Sequence, residues 1–321
     1  MTPTNRLINI FLLLLSLAAG AFICTVIAWF LFRPSIANIF YERGVARCEC
    51  VEALPSYNMA IRIWPNFAEA YVARANIYTI EGRSVETIPD LEKAIALKPN
   101  LAQAHYLRSR AYFDLKQYDQ ALSYMDKAIS LKPDALSYYG RGRTYQEQGN
   151  LQSALEDYNQ SISLNPNLVD AYYSRGFIYR DLGKFNLAID DFTKTVDLNP
   201  QFAKGYYSRG VTYHYMQNYT QAITDHTQAI ATQPDFADAY NRRGISHYWN
   251  KDINKAIDDF SKALKIMPDY AEARCNRGSV YKEAGEIDAA INDLRACVRS
   301  NPDDEFKQPA LEALQSLNAE P

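Results

Sequence analysis

The chain has 321 residues, 48% hydrophobic and 22% charged, with a formal net charge of −3 at pH 7. That balance excludes an intrinsically disordered chain. It also lacks the basic excess with which proteins meet phosphate backbones, so no nucleic acid is expected as a partner.

Residues 1–6 form a short polar tail, and Leu7 to Phe32 follow as 26 residues without a charge. As a helix that run would reach about 39 Å, more than the roughly 30 Å hydrocarbon core of a bilayer, so a tilted transmembrane helix over 7–32 is predicted. Trp29, Phe30 and Phe32 come just before Arg33, which suits the membrane interface. A cleaved signal peptide is the other reading; the run is too long for a usual signal core and ends at no convincing cleavage site. Arg33, Arg43 and Arg47 outnumber Arg6, which predicts a cytoplasmic C-terminal side. Cys24, Cys48, Cys50, Cys275 and Cys297 are an odd set with no even framework. They read as unpaired thiols, in agreement with a reducing compartment, and Cys297 reads as a packing residue.

Residues 36–64 look like a degenerate helical hairpin, its first helix around Ile36 to Ala46. From Pro65 onward a 34-residue unit recurs, clearest over Pro166 to Asn199, with further copies opening at Pro99, Pro133, Pro200, Pro234 and Pro268 and Pro302 closing the series. The third copy is one residue short just after Pro133. With the closing proline as position 32, position 8 is always small: Ala75, Ser109, Gly142, Gly176, Gly210, Gly244 and Gly278. Position 11 is Tyr in every unit but one, where it is His247. Position 20 is Ala from Ala121 to Ala290 after Thr87, and position 27 is small throughout.

These positions resemble the tetratricopeptide repeat over about residues 65–301. The resemblance implies an all-α superhelix, or solenoid, with helix A over positions 1–14 and helix B over 17–30 of each unit. In the degenerate unit Ala53 then takes position 20 and Tyr57 position 24. Gly82, Gly149, Gly183 and Gly285 at position 15 suit the left-handed residue that ends helix A; Lys116, Gln217 and Lys251 replace it, and less ideal turns are expected there. Pro89 should delay the start of its helix B. The tail 302–321, with Leu311, Leu314 and Leu317 at helical spacing, reads as a capping helix, or alternatively as a partner-binding one.

Position 7 is Arg in all seven units and position 23 is Asp in six, with Tyr124 the exception. An ion pair between helices is expected; a ladder of free arginines binding an anion is the alternative. The resemblance also implies that partners lie in a concave groove lined by helix A. The candidates are Tyr106, Arg110, Phe113, Tyr139, Arg143, Tyr173, Phe177, Arg180, Tyr207, His214, Tyr215, Tyr248 and Trp249. Aromatic side chains and arginine dominate binding surfaces, and an extended peptide with apolar side chains and an acidic group would suit this set. Packing of the position 5 tyrosines against the neighbouring helix A is the other reading.

No nucleophile motif and no phosphate loop appears, and no metal or cofactor is expected. His226 and His247 read as neutral core residues that approach each other, not as a metal site; an enzyme using them is the remote alternative. Asn159-Gln-Ser and Asn218-Tyr-Thr are weak glycosylation matches. The chain therefore reads as a membrane-anchored scaffold or assembly factor that binds protein or peptide, with a self-associating structural protein as the alternative. The repeats resemble those common in bacteria, especially cyanobacteria. Related anchored repeat proteins assist assembly of envelope or photosynthetic complexes, and one such type carries a metal-binding cysteine cluster that this chain lacks.

Overall fold

A computed structural model describes residues 29, 31–46, 51–300 and 303–320, and every regular element among them is helical. Two compact units are distinguished, one ending at Asp157 and one beginning at Tyr158. The first holds α1 (residues 31–46), α2 (Leu54–Ile63), α3 (Ala68–Ile80), α4 (Ser84–Leu97), α5 (Ala102–Asp114), α6 (Tyr118–Leu131) and α7 (Ala135–Glu147). The boundary falls within α8 (Leu151–Leu164). The second unit continues through α9 (Val169–Asp181), α10 (Phe185–Leu198), α11 (Ala203–Tyr215), α12 (Tyr219–Thr232), α13 (Ala237–Trp249), α14 (Ile253–Ile266), α15 (Ala271–Glu283), α16 (Ile287–Arg299) and α17 (Asp304–Ser316).

Each repeat is a pair of helices pressed together through small residues. The position 20 alanines Ala121, Ala188, Ala222 and Ala256 are fully buried. A Cβ on Gly244 would lie 2.8 Å from Cε1 of Phe260, so only glycine lets α13 come this close to α14. Ser109 holds the same slot in α5 by donating its hydroxyl to the Ala121 carbonyl at 2.6 Å.

Between helix A and helix B the chain reverses at a left-handed residue. In every repeat the N–H of position 16 then donates back to the carbonyl of position 11, as from Lys184 to Tyr179 at 2.8 Å and from Asn218 to Tyr213 at 2.9 Å. Lys116, Gln217 and Lys251 were expected to give less ideal turns. They adopt φ of 59°, 60° and 70°, beside 71° at Gly82, and keep the same hydrogen bond. The turn geometry is dictated by the helix pair, and the non-glycine residue bears the strain.

The expected late start of helix B at Pro89 is not found. α4 begins at Ser84 with Pro89 inside it. Pro89 and Val85, whose carbonyl would receive the missing bond, both lie on the exposed face, where water can take the place of the lost donor.

The short junction is also specific. Elsewhere an apolar residue precedes helix A, such as Phe202 in Pro200-Gln-Phe-Ala or Phe236 in Pro234-Asp-Phe-Ala. Pro133-Asp134-Ala135 lacks it, and Asp134 instead caps α7 by accepting from the Ser137 N–H at 3.0 Å.

At the amino end, α1 and α2 pack with α3 around Ala37, Ala60, Phe67 and Ala70. Gly44 of α1 faces Tyr57 of α2 so closely that a Cβ would meet the ring at 2.4 Å. At the other end α17 lies on the last repeat, with Leu314 buried in the cluster formed by Cys275, Ala290, Leu294 and Cys297 and with Leu317 packed beside it. Leu311 is half-buried and is not part of that cluster.

Two expectations from the sequence meet a limit or a correction. The predicted transmembrane run 7–32 lies almost wholly outside the described residues, among which no helix is long and apolar enough to cross a membrane. The cysteines are not all unpaired: Cys275 of α15 and Cys297 of α16 form a disulfide across the last helix pair, with Cα atoms 5.2 Å apart. Positions 5 and 27 face each other in the hairpin, so two cysteines 22 residues apart in sequence arrive side by side.

Candidate functional site

The repeated arginines are occupied. In six repeats Nε and Nη2 of position 7 donate to the two carboxylate oxygens of position 23 at 2.6–2.9 Å: Arg74–Asp90, Arg141–Asp157, Arg175–Asp191, Arg209–Asp225, Arg243–Asp259 and Arg277–Asp293. The remaining Nη1 reaches helix B of the preceding repeat at 2.6–3.0 Å, where it meets Asn58, Asp126, Asn159, Thr193, Thr227 or Ser261. Each guanidinium thus ties three helices together and none is available to an outside anion. Arg108 departs from the pattern as Tyr124 does: it stacks over that ring at 4.3 Å and pairs with Glu92 at 2.5 Å. Asn159 accepts from Arg175, and Asn218 caps α12 through the Gln221 N–H, so both asparagines of the glycosylation matches are engaged in the fold.

The aromatic candidates divide into packing residues and exposed ones. Tyr173 meets Phe202 edge-on at 5.1 Å, lies 5.8 Å from Phe192, and shares a hydrogen bond with Ser208 at 3.3 Å. Tyr207 is held likewise between His226 and Phe236, and burial raises the pKa of its phenol. These two position 5 rings pack against neighbouring elements and are half-buried. Arg180 lies 4.0 Å over Phe177 and donates to Asp181 at 3.0 Å.

Tyr215 and Trp249 are open, at 58% and 51% of their full accessibility. Each stacks on an aromatic residue that the sequence reading did not single out: Tyr215 on Phe185 at 6.0 Å and Trp249 on Tyr219 at 6.3 Å. Position 17 of one repeat supports position 13 of the next. Tyr248 meets Trp249 edge-on and donates to Glu283 at 2.5 Å. With Leu182 and Met216 also exposed, the second unit carries an apolar, aromatic strip along its A–B turns.

In the first unit Tyr106, Arg110, Phe113, Tyr139 and Arg143 gather around one cavity of about 210 Å³. Arg143 lies 4.7 Å over Phe113 and 5.9 Å over Tyr139. Arg110 and Arg143 are exposed, and neither forms an ion pair among the described residues.

The histidines do not assemble a centre. His226 is fully buried under Gly210, neither ring nitrogen finds a partner among the described residues, and burial depresses its pKa to about 3. His214 shares a hydrogen bond with Ser246 at 3.2 Å, and His247 lies 3.3 Å from Asp252. Burial lowers the pKa of both. Among the described residues no three His, Cys, Asp or Glu side chains lie together as metal ligands.

Tetratricopeptide repeat models match residues 68–101, 102–135, 169–202, 203–236, 237–270 and 271–304, and a further TPR repeat model matches 142–179. Together they cover 68–135 and 142–304. The chain belongs to the tetratricopeptide repeat family. The short gap between these stretches follows the shortened junction at Pro133. No curated protein matches the sequence.

Among solved structures, the C-terminal part of a TPR repeat-containing protein from Cytophaga hutchinsonii superposes with a TM-score of 0.63 at 18% identity, over 76% of this chain and 99% of that one. A tetratricopeptide repeat protein from Parabacteroides merdae gives 0.57 at 19%, over 77% and 98%. The APC/C hetero-tetramer Cut9-Hcn1 gives 0.58 at 17%, over 83% of this chain and 52% of that one. At these identities the likeness is one of fold. The tetratricopeptide repeat explains the regular parts: the small position 8, the position 11 ring and the A–B turn.

Proposed function

We propose that this tetratricopeptide repeat protein is a binding scaffold or assembly factor, held at a membrane by residues 7–32, that takes protein or peptide segments on its helix A face. The observation that carries this is the contrast between two sets of side chains. The arginines that maintain the fold are forked onto aspartates, whereas Arg110, Arg143, Tyr215 and Trp249 stand exposed. Exposed aromatics and unpaired arginine are the groups from which binding hot spots are built. A neighbour in fold is itself part of a hetero-tetramer, Cut9-Hcn1. The bacterial origin rests on the sequence resemblance alone.

Two readings recede. Self-association through an open carboxyl-terminal face would need the apolar side of α17 free, and Leu314 is buried against the last repeat. Catalysis by His226 would need access to a substrate, and its ring is sealed.

The side of the membrane is argued by two opposed features. The positive flank of three arginines to one favours the cytoplasm. The Cys275–Cys297 disulfide favours an oxidising compartment and removes the support that unpaired cysteines lent to a cytoplasmic side. A covalent bond within the fold outweighs so small a charge margin, and we place the repeats on the oxidising side. Alkylation of protein denatured straight from native membranes tests this. Cys275 and Cys297 should react only after reduction, and reaction without reductant would return the repeats to the cytoplasm.

The binding reading is tested by gentle extraction of the intact protein and identification of what co-purifies. A control chain carries Tyr215→Ala and Trp249→Ala, two exposed sites at which folding should survive. A partner lost with the control supports the helix A face; identical partners with both would move binding elsewhere.

A further inference from the structure

One cavity of the first unit lies where a repeat is one residue short. In an ordinary repeat the apolar side chain at position 34 covers the position 5 side chain of the same repeat. Phe202 covers Tyr173 at 5.1 Å, Phe236 covers Tyr207 at 5.0 Å, and Leu101 packs into the cluster that holds Val72. In the repeat that opens α5, position 34 is the residue lost between Asp134 and Ala135, and Asp134 is turned back onto Ser137. Tyr106 therefore has no cover of this kind. Its ring, Met125 and Leu136 bound a cavity of about 210 Å³, with Leu136 still 51% exposed. A void of that size would hold one large apolar side chain.

The rim of the cavity is charged. Arg110 and Arg143, from α5 and α7, line it, and Asp114 is the one acidic group on the same rim. Asp114 accepts from the Ser84 hydroxyl at 3.2 Å. Two cations against one carboxylate leave a net positive mouth over an apolar floor. An exposed guanidinium next to a desolvated pocket is a strong partner for a carboxylate.

Resting on the groove reading above, we propose that this cavity is a side-chain pocket for a partner peptide. It takes an apolar or aromatic residue in the place vacated by position 34, with an acidic residue beside it in the peptide paired to Arg110 and Arg143. The partner's side chain completes the repeat as Phe202 and Phe236 complete theirs. The unmade intramolecular contact is thus the recognition feature.

The test uses the full-length chain and a phage-displayed library of random 12-residue peptides. The wild type should enrich peptides with Asp or Glu adjacent to Phe, Leu, Ile or Trp. Insertion of leucine between Asp134 and Ala135 recreates the Pro-Asp-apolar-Ala junction seen at Pro234 to Ala237 and should fill the pocket. That variant should retain its helical circular dichroism and lose the enriched peptides. Arg110→Gln and Arg143→Gln alter exposed side chains without ion pairs, so they keep the proposal testable if the insertion fails to fold. Each should weaken a selected peptide about tenfold and flatten its salt dependence. Enrichment of basic peptides, of the same peptides by the insertion variant, or of none at all would overturn the pocket. The broader groove reading would survive any of these if co-purification still depended on Tyr215 and Trp249, so the two failures are distinguishable.

Discussion

Arg209 grips Asp225 through both carboxylate oxygens, each at 2.8 Å, while its third nitrogen holds Thr193 of the preceding repeat at 3.0 Å. Asp225 is nearly buried in this fork, so removing it strands a half-buried cation. Asp225→Ala should cost about 3 kcal/mol in denaturant unfolding. The double variant Arg209→Met with Asp225→Leu should lose less than the single one, since it leaves no charge unpaired. Equal losses in the two would mean that the fork is not what stabilises the hairpin.

Reduction of Cys275–Cys297 should loosen the last helix pair. For a loop of this length the cross-link is worth about 3 kcal/mol on a chain-entropy estimate. The amides of α15 and α16 should exchange faster in reductant, and those of α11 should change little. Uniform acceleration along the chain, or none, would count against a local clip.

His226 sits where Phe192 and Phe260 sit in the flanking repeats, and its two ring nitrogens have no partner among the described residues. Its clearance from Gly210, 2.8 Å to a built Cβ, equals that of Phe260 from Gly244. His226→Phe should therefore fit, relieve an unsatisfied polar group and stabilise the fold by about 1 kcal/mol at neutral pH.

The same residue sets an acid sensitivity. Its folded pKa is depressed to about 3, below the unfolded value of about 6.5. Between those values the unfolded chain binds a proton that the native state refuses. Its contribution is thus intact above pH 6.5 and is eroded as pH falls, by at most about 1.4 kcal/mol per pH unit. Urea unfolding at pH 7.5, 5.5 and 4.5 should show that slope in the wild type and a shallower one in His226→Phe.

Gln217 has a φ of 60° in a turn whose counterparts Gly82 and Gly183 carry no Cβ. Gln217→Gly should stabilise the protein by about 1 kcal/mol, and Gly183→Ala should destabilise it by a similar amount. A loss of stability in Gln217→Gly would show that the glutamine side chain contributes something its backbone conformation does not reveal.

Much of the architecture was legible because repetition multiplies weak signals. One Arg and one Asp 16 residues apart say little, but the same pair in six units names an interhelical contact. The partners of Nη1 were hidden because Asn58, Asp126 and Thr193 share no identity, only a short acceptor, and that shared property becomes visible once the helices are placed. The Cys275–Cys297 pair was hidden by an odd count and by Cys297 standing in a slot that small residues fill. Which of the candidate aromatics are exposed was not legible. Position 5 tyrosines and position 13 aromatics look alike in sequence, yet Tyr173 is spent on packing whereas Trp249 is open, and the difference lies in which neighbour covers each. Phe185 and Tyr219 were passed over because position 17 is not aromatic in every unit.

Position 25 of the seventh unit is Arg295, and α17 follows that unit in place of a helix A; the Arg295 Nε donates to the carbonyl of Glu320 at 2.7 Å. Elsewhere that site on helix B is met by an arginine made later. For a chain emerging from the ribosome amino end first, every hairpin is therefore born with one polar side chain waiting, and it is completed when the next arginine is translated. Maturation should run as a relay in the direction of synthesis, with Glu320 answering the seventh hairpin.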